Sequence, residues 1–190
     1  MAQPLAERLR PTSFDNYVGQ QHLVGEGAVL RRMIDSGRIL SFIMWGPPGT
    51  GKTTIAKIIA HQLNRPFYTL NAVSSGVKEV REVIDKAKNS PLFARGGAIL
   101  FIDEIHRLSA TVEEYLYSAM EDFFIDIMLE QGAGARSVRL NVPRFTLIGA
   151  TTREESVAIN KTLNYMDYYV KVSPDSVILI GGSPLATETA

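Results

Sequence analysis

The stretch GPPGTGKTT, residues 46–54, follows the apolar run ILSFIMW and decides the fold. Its first eight residues fit the pattern G-x-x-x-x-G-K-[ST] without a gap. Glycines let a backbone wrap closely around an anion, so that successive N–H groups point at one phosphate. A helix that opens at Lys52 would add unpaired N–H groups and its dipole. An ordinary Gly-Pro turn is the structural alternative. The stretch therefore predicts a binding site for a nucleoside triphosphate.

Two side chains of this stretch carry the chemistry that a triphosphate requires. Lys52 would bring a full positive charge to the β- and γ-phosphates, and the Thr53 hydroxyl could ligate Mg²⁺. The sequence thus predicts ATP and Mg²⁺ as ligands. The predicted nucleotide-binding residues of the loop are Gly46, Pro47, Pro48, Gly49, Thr50, Gly51, Lys52, Thr53 and Thr54.

A second polar motif stands at the end of the apolar run ILFIDE, residues 99–104. A buried carboxylate is costly unless a cation is near, and ligands of doubly wound sheets gather at the carboxyl ends of the strands. We expect Asp103 to hold Mg²⁺ and Glu104 to orient the attacking water. Two solvated acids at a strand end are the alternative. Thr151 and Thr152 end the next strand, where a hydroxyl could contact the γ-phosphate or satisfy its own turn.

Apolar runs and helical periodicity alternate from residue 41 to residue 152, which predicts an α/β fold with a parallel sheet and helices on both faces. Alternation on both sides of Gln-Gly-Ala-Gly predicts a β-hairpin over residues 122–142. YYVKVS and SVILIGG predict further strands. We expect strands over residues 41–46, 66–70, 98–104 and 144–152, and helices over 27–36, 52–64, 77–89 and 109–122, the last with Ser109 as N-cap.

Length and composition set broad limits. The 190 residues suit one domain, with 20 basic against 20 acidic residues and no cysteine, which excludes thiolate metal sites and cysteine nucleophiles. The three histidines, His22, His61 and His106, lack the spacing of metal ligands and stay unassigned. No apolar stretch approaches a membrane span, so a cytoplasmic protein is expected. We divide the chain into an N-terminal arm and helix (1–38), a P-loop core (39–172) and a C-terminal tail (173–190).

These motifs together resemble the AAA+ ATPases. The segments LAERLRP, YVGQQHLVGEG, WGPPGTGKTT, SGVKEVREVIDKAK and ILFIDEIHRLS, within residues 1–109, are similar to the replication-associated recombination protein A family (RarA, also MgsA). Residues 111–153 resemble instead RuvB, the Holliday-junction branch-migration motor. The resemblance implies a three-layer P-loop NTPase core with sheet order 5-1-4-3-2 and an inserted hairpin. It also implies an ATPase that converts ATP and water to ADP and phosphate in a DNA recombination or replication-repair motor.

The resemblance also implies residue roles. Residues 46–53 match the Walker A motif, Asp103 and Glu104 the Walker B pair, and Thr152 the sensor-1 position. It implies a homo-oligomeric ring, branched or single-stranded DNA as partner, and a hairpin that contacts a RuvA-like protein. A hairpin folded back on its own core is the alternative. Residues that match the adenine pocket are Leu9, Arg10, Tyr17 and Val18, and those on the presumed contact face of the hairpin are Phe123, Ile125, Ile127 and Leu129.

The sequence departs from both families after sensor 1. The stretch that should carry an arginine for the neighbouring subunit reads INKTLNYMDYYVKVS, with Met166 and Asp167 at the approximate places, and no arginine follows Arg153. The helical lid domain is absent from the 190 residues. We therefore expect nucleotide binding with feeble hydrolysis. Two alternatives stay open: a nucleotide-binding scaffold without turnover, and a mosaic chain that keeps only the fold.

One local basic cluster stands out in an otherwise balanced sequence. It could face DNA or a neighbouring subunit, or it could be a solvated rim. Its members are Arg136, Arg139, Arg144 and Arg153.

Overall fold

The structure is a computed structural model, and it describes residues 4–89, 97–128, 137–153, 168–171 and 179–181. Six helices and eight strands are present in these ranges, together with 3-10 turns at Phe14–Asn16 and Ile105–Arg107. The helices are α1 (Leu5–Arg8), α2 (Gln21–Val24), α3 (Val29–Asp35), α4 (Lys52–Gln62), α5 (Val77–Lys88) and α6 (Ala110–Glu121). The strands are β1 (Phe42–Trp45), β2 (Phe67–Asn71), β3 (Ala98–Asp103), β4 (Phe124–Met128), β5 (Ser137–Asn141), β6 (Phe145–Thr151), β7 (Tyr168–Lys171) and β8 (Leu179–Gly181).

Six strands form the central sheet in the order β2-β3-β6-β1-β7-β8. The first five pair in parallel, and their order is the predicted 5-1-4-3-2 once the hairpin strands are left out of the count. β8 adds an antiparallel edge strand, so part of the segment 173–190 extends the sheet. No helical lid occurs within the ranges that the structure describes, nor does any helix there have the length and apolar character needed to cross a bilayer.

Residues of each central strand alternate between two apolar layers, because successive side chains of a strand point to opposite faces. Phe101 and Ile148 belong to the layer beneath α4, whereas Leu100 and Leu147 belong to the layer beneath α5 and α6. Helices therefore cover both faces, as the apolar runs predicted. Ser109 caps α6 as expected, with its hydroxyl accepting a hydrogen bond from the Val112 N–H at 3.4 Å.

The N-terminal region packs on the same core as α4 and does not stand apart from it. Phe14, Tyr17, Leu23 and Leu30 are all buried in the layer that α4 covers. The short helices α1 and α2 were not predicted, since four residues are too few to show a helical period. Tertiary packing therefore determines the conformation of this segment.

The predicted hairpin forms, with β4 and β5 paired antiparallel so that Ile125 lies opposite Leu140. Ile125 is 1% exposed and belongs to the core beneath α6, so the base of the hairpin folds back on the protein itself. Phe123 does not share this buried face: its φ of 57° places it ahead of the strand, and it is 37% exposed. The side chain of Ile127, and Leu129 altogether, lie outside the described residues.

Candidate nucleotide-binding site

The glycine loop turns sharply between β1 and α4. Gly49 and Gly51 have φ values of 79° and 89°, in the left-handed region that glycine adopts without strain. A Cβ on Gly51 would also collide with the Tyr17 hydroxyl, which donates a hydrogen bond to the Thr50 carbonyl at 3.2 Å. No side chain caps the N-terminus of α4, so its first N–H groups remain free to face an anion. The loop therefore has the conformation that a phosphate cradle requires.

Lys52 is the buried cation of this loop, with only 8% of its surface exposed. Its Nζ donates hydrogen bonds to the carbonyls of Gly46 and Pro47 at 2.7 and 2.8 Å. Burial lowers its pKa, while the charges of Asp103 and Glu104 act in the opposite direction. An ammonium group has three donors, so one N–H remains for a phosphate oxygen while the other two fix the loop.

Four segments of the chain meet in one cleft of about 380 Å³. The glycine loop and the start of α4 form one wall, and the ends of β3 and β6 form the other. The neighbouring strands β3 and β6 are parallel, so their carboxyl ends bring the predicted acids and Thr152 to the same edge. The cleft is lined by Arg10, Pro48, Gly49, Gly51, Lys52, Thr53, Thr54, Asp103, Glu104 and Thr152.

Arg10 lies nearer the phosphate cradle than the sequence motif implied. It was predicted in the adenine pocket, but it lines the cleft of Lys52 and Asp103. Its guanidinium donates to the Thr54 hydroxyl at 2.7 Å and to the Glu7 carboxylate at 2.9 Å. Glu7 also pairs with Lys57 of α4. This network fastens the N-terminal arm to the helix that follows the glycine loop.

A second, wider cleft adjoins the loop on its other side. Leu9, Tyr17 and Val18 line it together with Pro47, Thr50 and other loop residues, which brings the remaining predicted adenine contacts to one place. Leu9 and Val18 are 72% and 95% exposed, so their apolar surface is available to a planar base. Sequence reasoning missed Pro11, Asn16 and Gln20, which also line this cleft, because no motif singles them out.

Glu104 has a left-handed backbone, with a φ of 54°. Such a conformation costs a non-glycine residue about 1–3 kcal/mol and is concentrated at functional sites. Its carboxylate lies 3.3 Å from Nε2 of His106, a residue that the sequence left unassigned. The His106 side chain is 5% exposed, and burial is the main cause that lowers its pKa. His106 stands two residues after Glu104, and this proximity was the signal that could have found it.

Two of the four arginines in the predicted basic cluster have local side-chain partners. Arg139 binds the Asp126 carboxylate at 3.1 and 3.2 Å and lies 3.8 Å from the centre of the Phe124 ring. Arg144 lies 4.8 Å from the centre of the Phe123 ring. Arg136 lies outside the described residues. Arg139 and Arg144 thus have local partners, and the choice between a surface for DNA or a neighbouring subunit and a solvated rim stays a prediction.

Comparisons with known proteins agree with this geometry. A family model for the Holliday junction DNA helicase RuvB P-loop domain matches residues 9–163. Replication-associated recombination protein A of Haemophilus influenzae is 42% identical over 160 residues, which cover 84% of this chain and 31% of that protein. The Holliday junction branch migration complex subunit RuvB of Chlorobium phaeobacteroides is 47% identical over 155 residues, covering 77% of this chain and 41% of that protein.

Solved structures of RuvB are also similar to this chain. A RuvB P216G mutant of Thermotoga maritima superimposes with a TM-score of 0.66 at 33% identity, covering 87% of this chain and 50% of that one. The chain thus spans half or less of the proteins it matches. A 160-residue match cannot fit within residues 1–109, so the RarA and RuvB similarities overlap. The chain belongs to the RuvB P-loop domain family of the AAA+ ATPases.

Proposed function

We propose that this chain binds ATP with Mg²⁺ and is the ATP-hydrolysing core of a DNA recombination and replication-repair motor, of the branch-migration or stalled-fork type, in the bacterial cytoplasm. The observation that carries the proposal is the single cleft in which Lys52, Asp103 and Thr152 meet from separate segments. A structural role alone would not require a buried ammonium, two acids and a hydroxyl around an open cradle.

Binding follows from the charges and donors of the loop. The free N–H groups of the loop and of the first turn of α4 would surround the β-phosphate, and the remaining N–H of Lys52 would reach the β- and γ-phosphates. Leu9 and Val18 would flank the base in the adjoining cleft. Tyr17, hydrogen-bonded to the Thr50 carbonyl, would keep the loop in its phosphate-binding conformation.

Thr53 and Asp103 are the residues that would hold the metal. Both residues line the cleft, where one hydroxyl and one carboxylate oxygen face the same space. Such a donor set fits Mg²⁺, which keeps several waters and takes only one or two protein ligands beside phosphate oxygens. Bound there, Mg²⁺ would neutralise the negative charge that grows on the phosphate oxygens.

Glu104 is the residue we assign to the attacking water. Its carboxylate lines the cleft with Thr152, so it can orient and polarise a water molecule while the threonine hydroxyl contacts the γ-phosphate. The water oxygen then bonds to the γ-phosphorus as the bond to the bridging oxygen breaks, which gives ADP and phosphate.

We further propose that the 190-residue chain by itself turns ATP over slowly. No arginine follows Arg153 in the sequence, and an arginine supplied to the transition state contributes roughly 10³–10⁵ in rate. Ring assembly, contact with branched or single-stranded DNA, and contact of the outer hairpin with a RuvA-like partner belong to the same proposal. Phe123 and Val138, 37% and 39% exposed, are described apolar residues of the hairpin region that such a partner would meet.

A second candidate function is a nucleotide-binding scaffold without turnover, which the lack of an arginine after Arg153 favours. Phosphate release measured during an ATP titration, together with thermal unfolding, separates the two. Saturating Mg-ATP at about 100 times its dissociation constant should stabilise the fold by about 2.7 kcal/mol. Lys52→Ala should abolish this shift, whereas Lys78→Ala on the exposed face of α5 should preserve it.

Glu104→Gln completes the experiment, because it should keep the nucleotide-dependent shift and lose phosphate release. Binding without release in the unmodified chain would favour the scaffold. No stabilisation of the unmodified chain by Mg-ATP would refute both functions.

A further inference from the structure

A line of polar contacts runs from the end of β6 to Glu104. The Arg153 N–H donates to Thr151 Oγ1 at 3.1 Å, Thr151 Oγ1 lies 2.8 Å from Nδ1 of His106, and Nε2 of His106 lies 3.3 Å from Glu104 Oε2. None of these contacts is needed to cradle a phosphate. Glu104 lines the cleft, whereas Thr151 and His106 are not among the residues that line it.

The chemistry of the three groups defines one arrangement of protons. The Glu104 carboxylate can only accept, so the nitrogen facing it must carry the ring hydrogen. A neutral His106 protonated on Nε2 then has a bare Nδ1, which accepts the Thr151 hydroxyl hydrogen. The opposite tautomer would direct a lone pair at the carboxylate. His106 is therefore held in the form that offers an N–H to Glu104.

Packing keeps the His106 turn close to the sheet. A Cβ on Gly149 would come within 2.8 Å of Ile105 Cδ1 and 3.1 Å of Ile43 Cγ1, so the glycine lets the Ile105 side chain pack closely on β6. Ile105 is fully buried there. The position of His106 against Thr151 is thus set by the core on both sides.

Thr151 and Thr152 are consecutive residues with different surroundings. Thr152 lines the phosphate cleft, whereas the Thr151 side chain contacts His106. Any shift of the β6 end caused by phosphate at Thr152 therefore moves Thr151 as well. The contact of His106 with Thr151 is the shorter of its two contacts, so His106 should follow Thr151 and change its distance to Glu104.

We propose that His106 is a positioning residue: it holds the Glu104 carboxylate and couples it, through Thr151, to the phosphate contact made by Thr152. The inference rests on the proposed function insofar as Glu104 serves the attacking water. It adds a residue and a route of communication that the loop and acid motifs do not contain.

Imidazole ¹⁵N NMR of the full 190-residue chain tests the coupling without requiring turnover. The chain has three histidines, so His22→Gln and His61→Gln identify the His106 signals. We expect the Nε2-protonated tautomer in the unmodified chain and a shifted Nδ1 signal in Thr151→Val, because this variant removes the hydroxyl that donates to Nδ1. The matched control is Thr69→Val, a strand residue with an exposed side chain, which should leave the His106 signals unchanged.

Addition of ligands completes the NMR test. A non-hydrolysable ATP analogue with Mg²⁺ should shift the His106 signals, and Mg-ADP should not. Identical His106 spectra with the two ligands, or an Nδ1-protonated ring in the unmodified chain, would overturn the proposal. The NMR comparison does not depend on hydrolysis. A chain that binds ATP without releasing phosphate would refute the enzymatic function, and the coupling would still be tested by the His106 signals.

Where phosphate release is measurable, kinetics give a second test. His106→Ala should lower kcat by about 10–100-fold, the range expected when a group that orients a reacting residue is lost, while KM changes less than about twofold. His106→Gln keeps an N–H donor and should recover part of the rate. An unchanged kcat in His106→Ala, or equal loss in a folded His106→Gln, would contradict the positioning role.

Discussion

The glycine loop and the hairpin teach different lessons about what a short sequence can specify. The loop makes its main contacts within itself: the Thr50 hydroxyl donates to the Pro47 carbonyl, and Lys52 binds the carbonyls of Gly46 and Pro47. The hairpin is also local in its pairing, but Ile125 is buried only because α6 lies against it. A motif whose side chains bond to its own backbone can be predicted from its residues. Which face of a hairpin is buried depends instead on the elements that pack against it.

Truncation of the buried side chain at the base of the hairpin should have the largest effect on stability. Ile125→Ala should lower the free energy of unfolding by about 2–5 kcal/mol, because it leaves a cavity in a fully packed core. Denaturant unfolding measures the loss, and the dissociation constant for Mg-ATP should not change. Val138→Ala, on the exposed part of the same hairpin, is the matched control and should change stability by less than about 0.5 kcal/mol. Equal losses of unfolding free energy in Ile125→Ala and Val138→Ala would mean that the base of the hairpin does not belong to the core.

A single methyl group added to the glycine loop should have the next largest effect. Gly51→Ala forces a left-handed alanine and a collision with Tyr17, so the affinity for Mg-ATP should fall about tenfold or more. Isothermal titration measures the change. Gly37→Ala has a similar φ, with no atom near its Cβ, and should affect stability without affecting binding. Unchanged affinity in Gly51→Ala would show that the loop is not held as described.

The smallest expected effect concerns the hydrogen bond between α6 and the hairpin. The Tyr115 hydroxyl donates to the Asp126 carbonyl at 3.0 Å and accepts from Arg81 at 2.6 Å. Tyr115→Phe should therefore cost about 0.5–1.5 kcal/mol of unfolding free energy. Tyr68→Phe is the control, since the Tyr68 hydroxyl makes no hydrogen bond to the described residues. An unchanged free energy of unfolding in Tyr115→Phe would indicate that the hairpin base is held by apolar packing alone.

Most of the fold could be predicted from the sequence because its elements carry strong local patterns. The runs that became β1, β3 and β6 are continuous and apolar, as strands buried on both faces must be. The arm helices α1 and α2 could not be predicted, since they are one turn long and depend on packing against α4. Phe123 broke the predicted alternation because its left-handed backbone places it ahead of β4, which begins only at Phe124.

Within the candidate site, residues of contiguous motifs could be placed together from the sequence, whereas contacts between segments could not. Arg10 was expected near the base, but its guanidinium lines the cleft of Lys52 and Asp103, where Glu7 and Thr54 fix it. His106 was left unassigned because it lacks metal-ligand spacing, although its partners are Glu104, two residues before it, and Thr151, 45 residues away. Spacing along the chain says nothing about a hydrogen bond between a turn and a distant strand.

The sequence by itself determined the glycine loop and the alternation of strands and helices, because glycine spacing, helix start and apolar period are encoded in consecutive residues, whereas the order of the core strands was predicted from the resemblance to AAA+ ATPases. Only the tertiary structure decided which side of the hairpin is buried, that Arg10 reaches the cleft, and that Thr151 and Glu104 share His106. The physical reason is that these contacts join residues far apart in the chain, and only packing of the sheet, helices and arm brings them within a few ångströms of one another.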